Sequence, residues 1–138
     1  MVLKYHIDGG DFVNAGKASS AVKTILKQLD VPAKRIKRVV VALYETEVNV
    51  VAHASKGKIE AVIEEDRIVL TVKDSGPGIP DIEKAMEEGY TTASKEVREM
   101  GFGAGMGLSN IKRNSDDFHI ESIPGEGTLV RIINDLRD

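Results

Sequence analysis

Cysteine and tryptophan are absent from the 138 residues, and aromatic residues make up only 4%. Without cysteine there is no disulfide, no thiolate nucleophile and no cysteine-bound zinc. The three histidines, His6, His53 and His119, are scattered, which argues against a histidine metal cluster. No run approaches the ~20 apolar residues that a membrane-spanning helix needs. A net charge of −3 leaves no basic footprint for nucleic acid or a membrane surface. Met1 to His6 lacks the layout of a signal peptide. The expectation is a cytoplasmic protein with no nucleic-acid and no membrane partner. What is present, 41% apolar and 30% charged residues, is the balance of a globular protein. The whole chain, residues 1–138, reads as one domain long enough for a proper core.

Val2 to Asp8 alternates loosely and predicts a first strand. Gly9-Gly10-Asp11 reads as a turn able to cap a helix. Ala15, Ala18, Val22, Ile25, Leu26 and Leu29 recur at helical spacing, up to about Asp30. Pro32 then precedes a longer helix, Lys34 to about Ala54, ended by Ser55-Lys56-Gly57-Lys58. Ile59 to Glu64 and Arg67 to Lys73 predict two strands around a tight Glu65-Asp66 connection. Ile82 to Glu88 suggests a short helix, and Gly89 to Gly103 a long irregular loop, a kind that is usually functional. A helix from Met106 to Asn114 and two strands, Phe118 to Ile123 and Leu129 to Ile133, close the chain. The pattern predicts an α/β (α+β) two-layer sandwich: a mixed, mainly antiparallel sheet with helices on one face.

Three stretches carry the chemistry. Asp74-Ser75-Gly76-Pro77-Gly78 places a carboxylate at a strand end, before two glycines that let a ligand approach the backbone. Such a carboxylate can accept a hydrogen bond from an exocyclic amine. Taken alone the pattern is also an ordinary strand-to-turn connection. Gly101, Gly103, Gly105 and Gly107 crowd into seven residues before a helix, where backbone N–H groups form an anion site. On the second helix, Glu45 and Asn49 share a face with Ala42 and Ala52. An amide oxygen with ligand phosphate oxygens suits Mg²⁺, and a carboxylate one turn away can take a proton. Solvated side chains are the plain alternative. The opposite stripe, Ile36, Val40, Leu43, Val50 and Ala54, reads as core-facing and has Glu47 in its middle. A buried unpaired carboxylate is expensive, so a cationic partner, a bend or an edge position is expected there.

In order, Glu45-x-x-x-Asn49, Asp74-x-Gly76-x-Gly78, Gly103-x-Gly105-x-Gly107 and Gly125-x-Gly127-Thr128 resemble the N, G1, G2 and G3 boxes of the GHKL ATP-binding superfamily. The resemblance runs from the second helix to the last strand. Its single-domain form is most similar to bacterial anti-sigma factors and switch serine/threonine kinases. It implies the Bergerat-type ATP-binding fold, with ATP and Mg²⁺ as cofactors. The implied ATP-binding residues are Asn49, Asp74, Gly76, Gly78, Gly103, Gly105, Gly107, Leu108 and Thr128. Asp74 would take the adenine amine, Asn49 would hold Mg²⁺, and Glu45 would be the general base. Thr128 would reach toward the adenine side, although Pro124-Gly125-Glu126-Gly127-Thr128 also reads as a plain hairpin. Gly89 to Ala104 would be the ATP lid, where Lys95 or Arg98 could meet the γ-phosphate. Thr91 and Thr92 in that lid have no assignable role.

The resemblance implies a regulatory serine/threonine kinase that phosphorylates a small STAS-domain antagonist protein. The alternative is a non-catalytic module that binds a sigma-factor-like partner according to its ATP or ADP state. A plain ATPase subunit is a weaker third reading. The amphipathic first helix serves either a homodimer interface or, more simply, the covering of the sheet.

Overall fold

The computed structural model describes residues 1–79, 82, 86 and 107–138. The chain begins with strand β1 (Val2–Asp8), then a single 3₁₀ turn (Phe12–Asn14), helix α1 (Lys17–Gln28) and helix α2 (Ala33–His53). Strands β2 (Lys56–Ile63) and β3 (Arg67–Ser75) follow, then helix α3 (Gly107–Arg113) and strands β4 (Asp117–Ile123) and β5 (Gly127–Asp135). The sheet order is β1-β2-β3-β5-β4, and all four pairings among the described residues are antiparallel. Helices cover one face, as the two-layer expectation requires.

Period-two burial explains the layering. Ile7, Ile59, Ala61, Ile63, Ile68, Leu70, Val72, Val130 and Ile132 point toward the helices and are buried. Their neighbours Lys4, His6, Lys58, Glu60, Lys73, His119 and Arg131 are exposed. α2 supplies Val39, Ala42, Leu43 and Val50 to the same core, and α1 supplies Ala18, Val22 and Leu26. Each fully buried Leu or Ile contributes roughly 1.5–3 kcal/mol. The sheet is therefore fixed mainly by one apolar face.

Two local expectations are corrected. Asp11 caps no helix: its carboxylate accepts a bond from Asn14 Nδ2 at 2.7 Å, and α1 starts only after Gly16, whose φ is +96°. Lys56 and Gly57 do not merely end α2, because Lys56 already pairs with Ser75, and with Asp8 on the other side. Of the short helix expected after Pro80, only Ile82 and Met86 are described, joined by Met86 N–H donating to Ile82 O at 3.0 Å. The rest of that segment and the Gly89–Ala104 loop lie outside the described residues.

Glu47 receives a different partner from any expected. It is 2% exposed, yet neither unpaired nor matched to a cation. Its Oε2 accepts the N–H groups of Gly16 (3.0 Å) and Ala18 (3.1 Å), and its Oε1 that of Ser19 (3.2 Å). α1 has no side-chain cap of its own. A helix start leaves orphan N–H donors and a partial positive charge, and a carboxylate satisfies both. The stripe holding Glu47 thus faces α1 as well as the core.

Candidate functional site

Asp74 is the second-last residue of β3, opposite Gly57 of β2. Its Oδ1 accepts Thr128 N–H at 3.1 Å, so the first residues of β5 are bound to it directly. Among the described residues no donor reaches its second oxygen, which stays available to a ligand. Burial pushes the Asp74 carboxyl above the usual carboxylate range, and the Thr128 N–H pulls it back only partway.

The loop after Asp74 and the turn between β4 and β5 are one unit. Gly76 N–H donates to Glu126 O at 3.2 Å, Gly125 N–H to Pro77 O at 2.7 Å, and Ile79 N–H to Ser122 Oγ at 2.7 Å. Ser122 Oγ also lies 2.9 Å from Thr128 Oγ1. Gly78 has φ +75°, and a Cβ there would lie 2.6 Å from Ile123 O. At Gly127 a Cβ would lie 2.1 Å from Asp74 O. Both positions therefore require glycine for close backbone approach. A Cβ on Gly76 would meet Ala54 Cα at 2.9 Å, which places this loop against the end of α2. The plain-hairpin alternative for Pro124 to Thr128 is half right. The hairpin exists, and its far end is what holds Asp74.

Glu45 and Asn49 are both half-buried, one turn apart on α2. Burial pushes the Glu45 carboxyl up, and a side-chain hydrogen bond from Asn110 of α3 partly offsets it. Asn110 is itself oriented, because its Oδ1 accepts Arg113 Nη1–H at 3.2 Å, leaving the amide NH₂ for Glu45. Asn110 was not singled out from sequence. The one available signal is its place in the first turns of the helix after the glycine run. His53, at the end of α2, is also half-buried, and burial pushes its imidazole below the ordinary value.

α3 packs against α2, which sets Gly107, the last glycine of the Gly103-x-Gly105-x-Gly107 box, at the start of a helix beside the Glu45 side of α2. Gly107 is its first residue, whereas Gly103 and Gly105 lie outside the described residues, as do Lys95, Arg98, Thr91 and Thr92. The Leu108 side chain is buried in the core, so only its backbone can serve a ligand. A buried amide at the other end of α3 fixes the helix. Asn134 Oδ1 accepts Asp116 N–H at 2.7 Å, and its Nδ2–H donates to Asn114 O at 2.9 Å.

These residues fit a nucleotide. Among the described residues, one oxygen of the half-buried Asp74 carboxylate meets no protein donor, beside glycines whose missing side chains leave the backbone accessible. They also fit Mg²⁺ of the kind that arrives with phosphates. Among the described residues no group of three or more His, Cys, Asp or Glu could cage a metal, and Mg²⁺ commonly takes only one or two protein oxygens.

Comparison with known proteins agrees with this geometry. Residues 11–134 match the histidine kinase-like ATPase domain. The chain is 36% identical over 124 residues to an anti-sigma F factor of Caldanaerobacter subterraneus subsp. tengcongensis, covering 86% of this chain and 83% of that protein. It is 34% identical over 119 residues to the serine/threonine-protein kinase RsbT of Bacillus subtilis, covering 83% and 84%. The mycobacterial sensor histidine kinase MprB has the same fold, with a TM-score of 0.56 over 98% of this chain and 99% of that one, at 15% identity. On the extent of that domain match and the identity to these two relatives, the chain belongs to the histidine kinase-like ATPase domain family.

Proposed function

We propose that the chain is an ATP-binding serine/threonine protein kinase of the partner-switching type, acting on a small STAS-like antagonist protein. The observation that carries this reading is the pairing of Glu45 with Asn49. A half-buried carboxylate held by Asn110 stands one turn from an amide, on a helix that ends against the Asp74 loop. Its 34% identity to a serine/threonine kinase supports the same reading.

Bound MgATP supplies the phosphoryl group and the counter-charge for its transfer. Asp74 accepts the base's exocyclic amine, in a position fixed by Thr128. Asn49 offers its amide oxygen toward the metal. Glu45 would take the proton from the partner's serine or threonine hydroxyl as that oxygen bonds to the γ-phosphorus and the bond from that phosphorus to the bridging oxygen breaks, releasing ADP. Its raised pKa makes it a stronger base than an exposed glutamate. The backbone from Gly103 to Leu108 holds the phosphates, since phosphoryl transfer depends mainly on positioning and charge.

A second reading is favoured by the 36% identity to an anti-sigma F factor. Here the chain binds a sigma-factor-like protein in one nucleotide state and releases it in another. Two measurements separate the readings. Calorimetric titration with ATP, with and without Mg²⁺, tests the shared nucleotide site, and absence of binding would remove both. Incubation with γ-labelled ATP, Mg²⁺ and a STAS protein then distinguishes them. Label on the partner supports the kinase. No label, together with partner affinity that differs between ATP and ADP, supports the binding module.

A further inference from the structure

The outer surface of the helical layer holds an open groove of about 530 Å³, away from Asp74 and Asn49. It lies between the second half of α1, the connection to α2, and the first half of α2. Its floor is apolar, with Val31 and Ile36 each 6% exposed and Val40 half-buried. Lys23 and Lys27, one turn apart on α1, stand on one side, and Lys37 of α2 on the other. All three are exposed.

Charge decides what such a groove accepts. The chain carries a net −3, yet this groove is lined by three lysines and a single carboxylate, Asp30. Among the described residues, the ion pairs nearby go elsewhere: Lys34 and Arg35 to Asp138, and Arg38 to Asp116. Lys23, Lys27 and Lys37 have no carboxylate partner there. Three like charges around a wetted apolar trough repel one another and leave apolar surface in water. An occupant that relieves both must be apolar along its middle and acidic along its flanks. A second copy docked by the same face would bring lysines onto lysines. A nucleic acid would leave the floor uncovered.

We propose that the groove between α1 and α2 docks an amphipathic helix of a partner protein, with an apolar stripe flanked by Asp or Glu. Helix-in-groove recognition reads anchors spaced i, i+3, i+4 and i+7, and the trough between two packed helices suits that spacing. Val41 lines the groove one turn before Glu45 on α2. A docked partner would therefore rest on the helix that carries Glu45. The proposal itself stands whether or not the Glu45 side binds nucleotide.

The test uses the full chain and a fluorescein-labelled 18-residue helical peptide. The peptide carries leucines at the anchor spacing and glutamates beside them, and a control peptide has lysines in place of the glutamates. Anisotropy titration should show the acidic peptide binding at least tenfold more tightly than the control, and more weakly as salt rises. The triple variant Lys23→Glu/Lys27→Glu/Lys37→Glu should lose at least tenfold for the acidic peptide and gain for the control, with circular dichroism confirming that it is folded. Val40→Asp, which changes the floor, should weaken both peptides. Equal affinity for the two peptides, or acidic-peptide binding that survives both variants, overturns the proposal. So does peptide-free self-association in sedimentation that the triple variant abolishes, since the face would then belong to a second copy.

Discussion

On the side of α2 that faces α1, the Glu47 carboxylate is 2% exposed and takes three backbone N–H groups. On the side that faces α3, Glu45 is half-buried and, among the described residues, takes one side-chain bond, from Asn110. The two glutamates are two residues apart, about 200° around the helix. Burial alone would make Glu47 the more costly of the two. Three backbone N–H donors at a helix start offset that cost. A helix N-terminus can hold a fully buried carboxylate without a cation, whereas beside the Asn110 amide burial still leaves Glu45 with a raised pKa. The first arrangement holds two helices together, and the second suits the base role proposed for Glu45.

The sharpest break of this comparison is to remove each carboxylate in turn. Glu45→Gln should cut phosphate transfer to a partner by about 10²–10⁴-fold, the usual contribution of a positioned general base. Its folding stability should stay within about 0.5 kcal/mol of the parent, because no buried donor is stranded. Labelled-ATP transfer assays and urea titration read the two effects. Transfer unchanged in Glu45→Gln would end its assignment as base.

Glu47→Ala should do the opposite. Three N–H groups at the start of α1 would lose their acceptor, two of them in buried bonds. The expected loss is about 3 kcal/mol, the scale of buried backbone N–H donors left without an acceptor. The urea midpoint should fall with an unchanged slope, and ATP affinity of the folded protein should change little. A loss below about 1 kcal/mol would mean that water replaces the carboxylate, and the two sides of α2 would be less different than they look.

Glu47 also marks where the sequence stops being legible. Its burial follows from the helical wheel, but its partner does not, because the donors are backbone groups 28 to 31 residues earlier. The one readable sign is that Gly16-Lys17-Ala18 begins a helix without Ser, Thr, Asp or Asn at the cap, so its N–H groups need an acceptor from elsewhere. The sheet was more legible, since alternating burial is written into Val2–Asp8, Ile59–Ile63 and Ile68–Val72. The glycine boxes were legible as motifs. Their mutual contact, Thr128 N–H on Asp74 and Gly76 N–H on Glu126, was not, because it depends on how β3 and β5 pair. Asn110 is not legible for the same reason: a single amide has meaning only once α3 lies beside α2.

Asp74 extends the contrast to the proposed base pocket. Asp74→Asn should weaken ATP binding by about 10–100-fold, the scale of one hydrogen bond to a charged group. The pH behaviour has two opposite signs. Burial raises the carboxyl's pKa in the folded state, so the native protein holds that proton more tightly than the unfolded chain does. Its stabilising contribution is therefore complete below the ordinary carboxylate value and is lost as pH rises through the raised one. Nucleotide binding needs the ionised acceptor, so affinity should fall as pH drops through that same raised value. Calorimetry and thermal melts across acidic pH should show both trends, and Asp74→Asn should flatten both. Nucleotide affinity that ignores pH in the parent would mean that Asp74 does not meet the base.

The smallest expected effect is also the most discriminating. Asn110→Ala removes the one bond that moderates Glu45, and it leaves burial almost unchanged. With that donor gone, the Glu45 carboxyl should rise further, so the acid limb of the transfer rate against pH should move to higher pH. At neutral pH the rate should fall about threefold to tenfold, corresponding to roughly 0.7–1.4 kcal/mol for one hydrogen bond. Folding should hardly change, since Asn110 is half-buried and Arg113 is surface-exposed. A purely packing role for Asn110 would lower stability and leave the pH limb in place. A shifted limb with intact folding would make Asn110 a positioning residue, and would show that α3 sets the working pKa of a carboxylate on α2.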